Sequence, residues 1–214
     1  MTTSSFSALL ATALRENHLS VSAHQQQLLS DYLNLMTQWN RVFNLTTITA
    51  PRDMVYLHVM DSLIIKPYLK GTHCLDVGSG AGLPGIPLAI VDPTKHWMLL
   101  DKNSKKTRFL TQAVATLALK NVNVVHARVN DFHPARTFDT ILSRAVGSIA
   151  ELITMTEHLL AANGIMLAMK GKYPQTELSE IPSRFLSQNV IQLSIKGMNV
   201  ERHVVVLAKE VTNN

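Results

Sequence analysis

The chain has 214 residues, of which 46% are hydrophobic and 16% are charged, and its formal net charge is +5 at pH 7. This composition excludes a disordered chain, and the lack of any apolar run of about 18 residues excludes a membrane-spanning helix. The single cysteine, Cys74, cannot form an internal disulfide. We therefore expect a protein without a signal peptide that works in the reducing cytoplasm.

Residues 1–70 are predicted to form a helical cap. Apolar side chains recur at helical spacing between Phe6 and Tyr68, as they do on the buried face of amphipathic helices. We expect this helical region to break near residues 44–49 and to end after Tyr68, where a Lys-Gly pair marks a turn.

Residues 71–214 are predicted to form an α/β domain, because strands alternate with helices as in a parallel sheet with crossover connections. The predicted strands cover residues 73–77, 96–101, 122–127, 138–143, 164–169, 190–195 and 203–208. The clearest helices cover residues 104–119 and 148–160. Since the last two strands lie close together and late in the chain, we expect a seven-stranded sheet that ends in an antiparallel hairpin.

A glycine-rich turn after the first predicted strand is the most informative stretch. The strand ends at Asp76, and Gly78, Gly80 and Gly82 follow at alternate positions before a helix begins. Glycine has no Cβ and tolerates positive φ, so the backbone can approach a ligand closely there. A proline at position 84 or 87 suits the first helical turn, whose N–H groups and dipole face the ligand. This stretch predicts a nucleotide-type pocket at the carboxyl end of a strand.

Two nucleotide ligands fit this turn. Gly80, Gly82 and Gly85 satisfy G-x-G-x-x-G, the dinucleotide fingerprint, although so short a motif is weak by itself. Asp76 and Asp101 end the first two predicted strands and favour S-adenosylmethionine, because one carboxylate can face its amino group and the other its ribose hydroxyls. Asp101 would serve the ribose of NAD equally well, and capping of the next helix is a structural alternative for it.

Motifs along most of the chain resemble those of a known family. They include Trp39-Asn40, Phe43 to Thr46, His58, Asp61 to Leu63, Asp76 to Pro87, Leu99 to Asp101, Lys105-Lys106, Arg108 to Leu110, Phe138-Asp139, Ser143 to Ala145, Lys170-Gly171 and Glu201 to His203. In this order they resemble the bacterial 16S rRNA guanine-N7 methyltransferases, the RsmG (glucose-inhibited division protein B) family.

The resemblance implies a fold, a cofactor and a reaction. The fold is the Rossmann-like α/β sheet of class I S-adenosylmethionine-dependent methyltransferases, with an N-terminal helical extension. The cofactor is S-adenosyl-L-methionine, and the acceptor is N7 of a guanine in the 530-loop region of 16S rRNA. Because that nitrogen carries an exposed lone pair and no proton, we expect no catalytic base, only positioning of the reactants. The nine histidines show no metal-binding spacing, so we expect no metal.

The predicted cofactor-binding residues lie at the ends of the first four strands. They are Asp76, Gly78, Gly80, Gly82, Leu83, Asp101, Val129, Asn130 and Arg144. By the resemblance, Val129 and Asn130 lie beside the adenine, with contact from Asn130 through either its side chain or its backbone. Also by the resemblance, Arg144 belongs to the cofactor site and positions the reactants; an ordinary salt bridge to Asp76 or Asp131 is the alternative.

Basic residues around the pocket are predicted to contact RNA. They are Lys102, Lys105, Lys106 and Arg108 at the start of one helix, and Lys170 and Arg202 near strand ends. Such side chains neutralise phosphates, although a solvated basic surface is the alternative. The expected partner of a monomeric chain is 16S rRNA or the small ribosomal subunit. We also expect Asn44, His58 and Asp61 to form a polar contact between the helical cap and the sheet, with a packing role.

Two other functions remain open from the residues alone. An NAD-dependent oxidoreductase would use the same glycine turn, although the sequence contains no Tyr-x-x-x-Lys pair. A non-catalytic RNA-binding or cell-division factor would retain the fold without the reaction. The intact glycines and strand-end acids favour the methyltransferase over both.

Overall fold

A seven-stranded sheet forms the centre of the protein in a computed structural model that describes residues 3–144 and 147–209. The strands are β1 His73–Val77, β2 His96–Asp101, β3 Val122–His126, β4 Phe138–Ser143, β5 Leu160–Lys170, β6 Phe185–Leu193 and β7 Arg202–Lys209. Their order is β3-β2-β1-β4-β5-β7-β6. The first five strands are parallel, and β7 is antiparallel to both β5 and β6. The direction of winding therefore reverses between β1 and β4, where open α/β sheets bind ligands.

Helices cover both faces of this sheet. They are α1 Thr3–Glu16, α2 Ala23–Phe43, α3 Pro51–Met54, α4 Asp61–Leu63, α5 Gly85–Val91, α6 Ser104–Thr116, α7 Ile149–Thr156 and α8 Gln175–Ser179, with a π-helical segment at Val55–Met60 and 3₁₀ turns at Lys66–Tyr68, Val129–Asp131 and Glu157–Leu159. Within the described ranges, every helix is too short or too polar to cross a membrane.

Local sequence signals set the bounds of α2. At its start, the Ser22 hydroxyl accepts from the backbone of Gln25, whose side chain bonds back to Ser22 N–H, so the two form a capping box. At its end, Asn44 takes the left-handed conformation with φ of +48°. The next helix begins at Pro51, as expected for proline in a first turn. The predicted break at residues 44–49 is confirmed.

The two faces of the sheet contribute to two hydrophobic clusters. Along β1, Cys74 faces the side covered by α1, α2, α5 and α6, whereas Leu75 and Val77 face the side covered by α7. This is the alternation that a pleated strand requires. The N-terminal helices thus share a continuous core with the sheet. Their separation into a cap of residues 1–70 and a domain of residues 71–214 stays a prediction.

The predicted seven strands and terminal antiparallel hairpin are confirmed, with shifts at several ends. The predictions for β1, β2 and β4 match residue for residue, but β5 begins earlier and β6 covers 185–193 rather than 190–195. A register irregularity between Ser187 and Asn189 interrupts the pairing of β6 with β7. Such an irregularity disturbs the alternation of apolar and polar residues by which a strand is predicted from sequence. Two predicted helices end early: α6 ends at Thr116, and a 3₁₀ turn follows α7.

Candidate active site

The glycine-rich loop after β1 is held against the end of β2. The N–H groups of Gly78 and Ser79 donate to the carbonyl of Leu100 at 2.8 and 3.2 Å. Gly78, Gly80 and Gly82 have φ values of +68°, +59° and +88°, in the region that side chains disfavour. The loop therefore needs its three glycines, as the sequence predicts.

Glycine also allows the helix after the loop to lie close to β1 and β2. Helix α5 begins at Gly85, with Pro84 before it. A Cβ at position 85 would overlap Leu99 and lie 2.7 Å from Asp76 Oδ2. Gly85 therefore serves packing. The proline at position 87 lies in the first helical turn, as predicted.

Asp76 lies beneath the loop and is fully buried. Its Oδ2 accepts the N–H of Gly85 at 2.9 Å, whereas Oδ1 has no hydrogen-bond partner among the described residues. Burial disfavours the charged form and raises the pKa of this carboxyl to about 7, against the lowering effects of the Gly85 hydrogen bond and the positive charge of Arg144. Oδ1 is thus a buried acceptor without a donor.

Asp101 links the loop to helix α6. Its Oδ2 accepts the N–H of Gly80 and its Oδ1 accepts the N–H of Asn103, both at 2.8 Å. The N-cap of α6 is Asn103, whose side chain accepts from the backbones of Lys105 and Lys106. The helix-cap alternative for Asp101 is therefore wrong. Each of its oxygens retains a lone pair, because a carboxylate accepts about four hydrogen bonds.

Two helices on the same face of the sheet, α2 and α6, contact or approach the loop. The hydroxyl of buried Tyr32, on α2, donates to the carbonyl of Ala81 at 2.5 Å. On α6, Lys106 Nζ lies 3.8 Å from the position that a Cβ on Gly80 would occupy. No sequence pattern indicates the Tyr32 contact, since the two residues are 49 positions apart. The helical cap thus fixes the loop, and a cation lies beside it.

Arg144, at the end of β4, is paired with Asp61. The separation of their Nη1 and Oδ2 atoms is 3.5 Å, and Nη1 also donates to the carbonyl of Leu57 at 3.1 Å. Arg202, at the start of β7, donates from Nε to Asp61 Oδ1 at 2.7 Å. The expected alternative partners of Arg144, Asp76 and Asp131, are therefore wrong. Asp61, buried, joins the ends of two strands through both arginines.

The predicted polar contact between cap and sheet is confirmed for Asp61. The other two residues predicted for it, His58 and Asn44, make contacts within the helical region instead. His58 Nε2 lies 3.1 Å from the hydroxyl of Thr46, within the helical region. Burial, assisted by the charge of Arg144, lowers the pKa of His58 to about 4, so this side chain is neutral at physiological pH. Asn44 terminates α2 through its backbone.

The six basic residues predicted to contact RNA fall into two groups. Lys170 is paired with Glu177 at 2.7 Å, and Arg202 with Asp61. The other four surround the start of α6 and, within the described ranges, have no ion pair: Lys102, Lys105, Lys106 and Arg108. Only this second group presents uncompensated positive charge to a phosphate backbone.

The remaining predicted cofactor residues differ in exposure. Leu83 is only 4% exposed and belongs to the core. Val129 is half-buried and Asn130 exposed, in the 3₁₀ turn after β3. This turn follows the end of β3, next to the β2 end that carries Asp101. The roles of these three residues stay predictions.

Comparison with known proteins identifies the family. The profile of the family described as "GidB: rRNA small subunit methyltransferase G" matches residues 25–205. The chain belongs to this family. A "Ribosomal RNA small subunit methyltransferase G" from Laribacter hongkongensis is 46% identical over 198 residues, which cover 92% of this chain and 96% of that one. The protein of the same name from Nitrosococcus oceani is 47% identical, with 86% of each chain covered.

Solved structures show the same fold at low sequence identity. A SAM dependent methyltransferase from Aquifex aeolicus has a TM-score of 0.59 and 16% identity, and the match covers 77% of this chain and 96% of that one. A tRNA (uracil-54, C5)-methyltransferase from Pyrococcus abyssi, in complex with S-adenosyl-L-homocysteine, has a TM-score of 0.56 and 16% identity over 72% of this chain and 38% of that one. The predicted class I methyltransferase fold of this GidB family member is confirmed.

Replacing Gly85 with alanine tests the close packing beneath the loop. We expect Gly85→Ala to lower the free energy of unfolding by about 1–3 kcal/mol, because the added methyl group must displace Leu99 or Asp76. Gly171→Ala is the matched control, since a Cβ there meets nothing within 4 Å. Urea denaturation measures both. Equal stability of the two variants would contradict the close packing of Gly85.

The buried carboxyl of Asp76 makes the stability of the cofactor-free protein depend on pH. Its pKa is about 7 in the folded protein, above the ordinary value of 3.8 that applies to the unfolded chain. Unfolding between these two pH values releases a proton, so the contribution of this carboxyl to stability falls as the pH rises through this window. From pH 5.5 to 7.5, we expect the unfolding free energy of wild type to fall relative to Asp76→Asn by about 1–2 kcal/mol. Denaturation at both pH values measures this difference. A constant difference would show that Asp76 is already ionised at pH 5.5.

Proposed function

We propose that this protein transfers a methyl group from S-adenosyl-L-methionine to N7 of a guanine in 16S rRNA. The observation that carries the proposal is membership of the GidB family across most of the chain, which includes the loop between two strand-end acids. Relatives that are 46% and 47% identical to this chain over 198 and 183 aligned residues are named small-subunit rRNA methyltransferases. The acceptor and the atom methylated follow from that family.

The residues present fit the cofactor. The ammonium group of its methionine part, directly or through a water, supplies the donor that buried Asp76 Oδ1 lacks. A Cβ at Gly80 would meet only the carbonyl of Gly78 and Lys106 Nζ, at 3.7 and 3.8 Å, so the loop backbone is not packed tightly against protein at this point. Asp101 has lone pairs left for the ribose hydroxyls, and Val129 and Asn130 follow β3 beside it on the adenine side.

The other predicted cofactor residues support this placement indirectly. Gly78 and Gly82 give the loop its path through their positive φ values. Leu83 anchors the loop in the core and lies beneath the nucleoside. Arg144 follows β4, the strand next to β1, and would border the transferred methyl group of a cofactor bound at this switch point.

The reaction needs alignment of the reactants and no proton acceptor. Bound S-adenosylmethionine supplies an electrophilic methyl carbon. The N7 lone pair of guanine forms a bond to this carbon as the carbon–sulfur bond breaks, and the electron pair of that bond goes to sulfur. The guanine ring becomes positive and the sulfonium neutral. The chain contributes proximity and orientation, and Asp61, the buried carboxylate near Arg144, is held by two arginines and is not a base.

RNA binds, in this proposal, across the start of α6. Lys102, Lys105, Lys106 and Arg108 neutralise phosphates, which makes binding salt-dependent. Lys170 and Arg202 act mainly through their ion pairs and contact RNA only at the rim. The partner is 16S rRNA or the small ribosomal subunit, and the protein acts as a monomer, without a metal, in the cytoplasm.

A methyl-transfer assay tests the function. Purified protein is incubated with S-adenosylmethionine labelled in its methyl group and with 16S rRNA, unmethylated small subunits or tRNA. We expect label in the 16S rRNA of one or both ribosomal substrates and not in tRNA, with strand scission specific for N7-methylguanine at the labelled site. Label on another base atom, or on tRNA alone, would contradict the proposal.

Two substitutions in the loop test the cofactor site. Asp76→Ala removes the buried acceptor, and Gly80→Val adds a branched side chain to the loop and strains a φ of +59°. We expect each to abolish binding of S-adenosylhomocysteine in calorimetry while circular dichroism stays native. NADH serves as the competing ligand and is expected not to bind wild type. Unchanged affinity in both variants, or preference for NADH, would refute the pocket assignment.

The RNA surface is tested through the salt dependence of binding. We expect Lys105→Ala with Lys106→Ala to weaken RNA binding and to reduce the slope of log affinity against log salt by about 1 per lysine. The control is Lys66→Ala with Lys70→Ala. These two exposed lysines precede β1, at the amino-terminal ends of the parallel strands. If both double variants have the wild-type slope, the start of α6 is only a solvated surface.

A further inference from the structure

An exposed aromatic side chain lies just after the carboxyl end of β5, at the ends of the strands where the proposed RNA acceptor approaches the cofactor. Tyr173 is 49% exposed and follows the end of β5 by three residues. The other large apolar side chains exposed to this degree, within the described ranges, are Val42 and Leu186. Neither of these is aromatic. A half-exposed tyrosine ring at a strand end presents a flat apolar surface that folding has left uncovered.

The position of Tyr173 is fixed by two contacts at the start of β7. Its ring meets the ring of His203 edge-on, with centroids 5.5 Å apart and an interplanar angle of 88°. Its backbone N–H donates to Glu201 Oε1 at 3.3 Å. His203 is 5% exposed and lies opposite Lys170 in the pairing of β5 with β7. The ring is therefore held on the sheet, so a ligand that stacks on it loses less free energy to ordering of the side chain.

The buried histidine beneath the ring retains an unused polar atom. His203 Nδ1 has no hydrogen-bond partner among the described residues, and it lies 3.9 Å from Glu201 Oε1. Glu201 is itself exposed. The aromatic surface is thus bordered by a carboxylate and a buried imidazole nitrogen.

The sheet order places this surface beside the proposed methyl donor. From the cofactor loop at β1, the next strands are β4 and then β5, so the end of β5 is about 10 Å away. A cavity at the ends of β4 and β5 is lined by Arg144, which follows β4, and by Lys170 and Gly171 at the end of β5. Tyr173 follows Gly171 by two residues, at most about 7 Å of extended chain, so its ring is within reach of a base held at this cavity.

We propose that the Tyr173 ring is the surface on which the acceptor guanine stacks while its N7 faces the methyl group. Enzymes and RNA-binding proteins hold splayed single bases by stacking them on aromatic side chains. Here the stacking surface is next to the strand end where transfer occurs. This inference rests on the proposed function and adds the residue that binds the purine.

The experiment compares variants of Tyr173 that distinguish the effect of the aromatic ring from the effects of side-chain size and of the hydroxyl group. Tyr173→Phe keeps the ring, Tyr173→Leu keeps an apolar cover over His203, and Tyr173→Asn is a polar second variant suited to an exposed site. Tyr68→Leu is the control. This partly buried tyrosine precedes β1, at the amino-terminal ends of the parallel strands and so away from the proposed site. Each is assayed for methyl transfer to the ribosomal substrate that wild type methylates, and for S-adenosylhomocysteine affinity.

We expect Tyr173→Leu and Tyr173→Asn to lower kcat/KM for RNA at least tenfold, in line with the loss of one base-aromatic stack. Tyr173→Phe and Tyr68→Leu should stay within threefold of wild type, and cofactor affinity within twofold in all variants. Wild-type activity for Tyr173→Leu or Tyr173→Asn would overturn the stacking role, as would a tenfold loss in Tyr173→Phe. A wild-type protein that methylates no ribosomal substrate would instead refute the proposed function itself.

Discussion

One interaction is central to the site: two buried strand-end carboxylates accept backbone N–H groups of the glycine-rich loop and of the helix start that follows it. Asp76 accepts the N–H of Gly85 at the start of α5, and Asp101 accepts the N–H of Gly80 in the middle of the loop. Loss of either acceptor would leave an N–H donor unpaired, in a buried position at Gly85 and a partly buried one at Gly80. The same carboxylates keep acceptor capacity, so the two residues that hold the loop are also the ones proposed to bind the cofactor.

A second set of contacts joins the helical region to the far half of the sheet. Asp61, in the segment that follows the π-helical turn, is bonded to arginines at the ends of β4 and β7. Breaking such a buried pair leaves an uncompensated charge, which costs more than the pair contributes when intact. The N-terminal helices therefore do more than cover apolar surface. Through Tyr32 they contact the glycine-rich loop, and through Asp61 they hold Arg144 at the end of β4.

The parts of this structure that were predictable from sequence are those encoded locally. Strand ends, the acid at each end and the glycine turn are read from consecutive residues, and the structure confirms them at β1 and β2. Partners distant in sequence were not predictable: Arg202 and Asp61 are 141 positions apart, and only the folded sheet brings them together. The π-helical segment escaped prediction because its apolar spacing does not differ from that of an α-helix.

The most direct test of the cofactor site is a crystal structure of the protein with S-adenosylhomocysteine. We predict the ligand over the ends of β1 and β2, with its ribose hydroxyls on Asp101 and its amino group directed at Asp76. A thioether sulfur pointing toward Arg144 and the end of β4 would complete the agreement. Ligand bound elsewhere on the chain, or a glycine loop left empty at saturating ligand, would contradict the central claim.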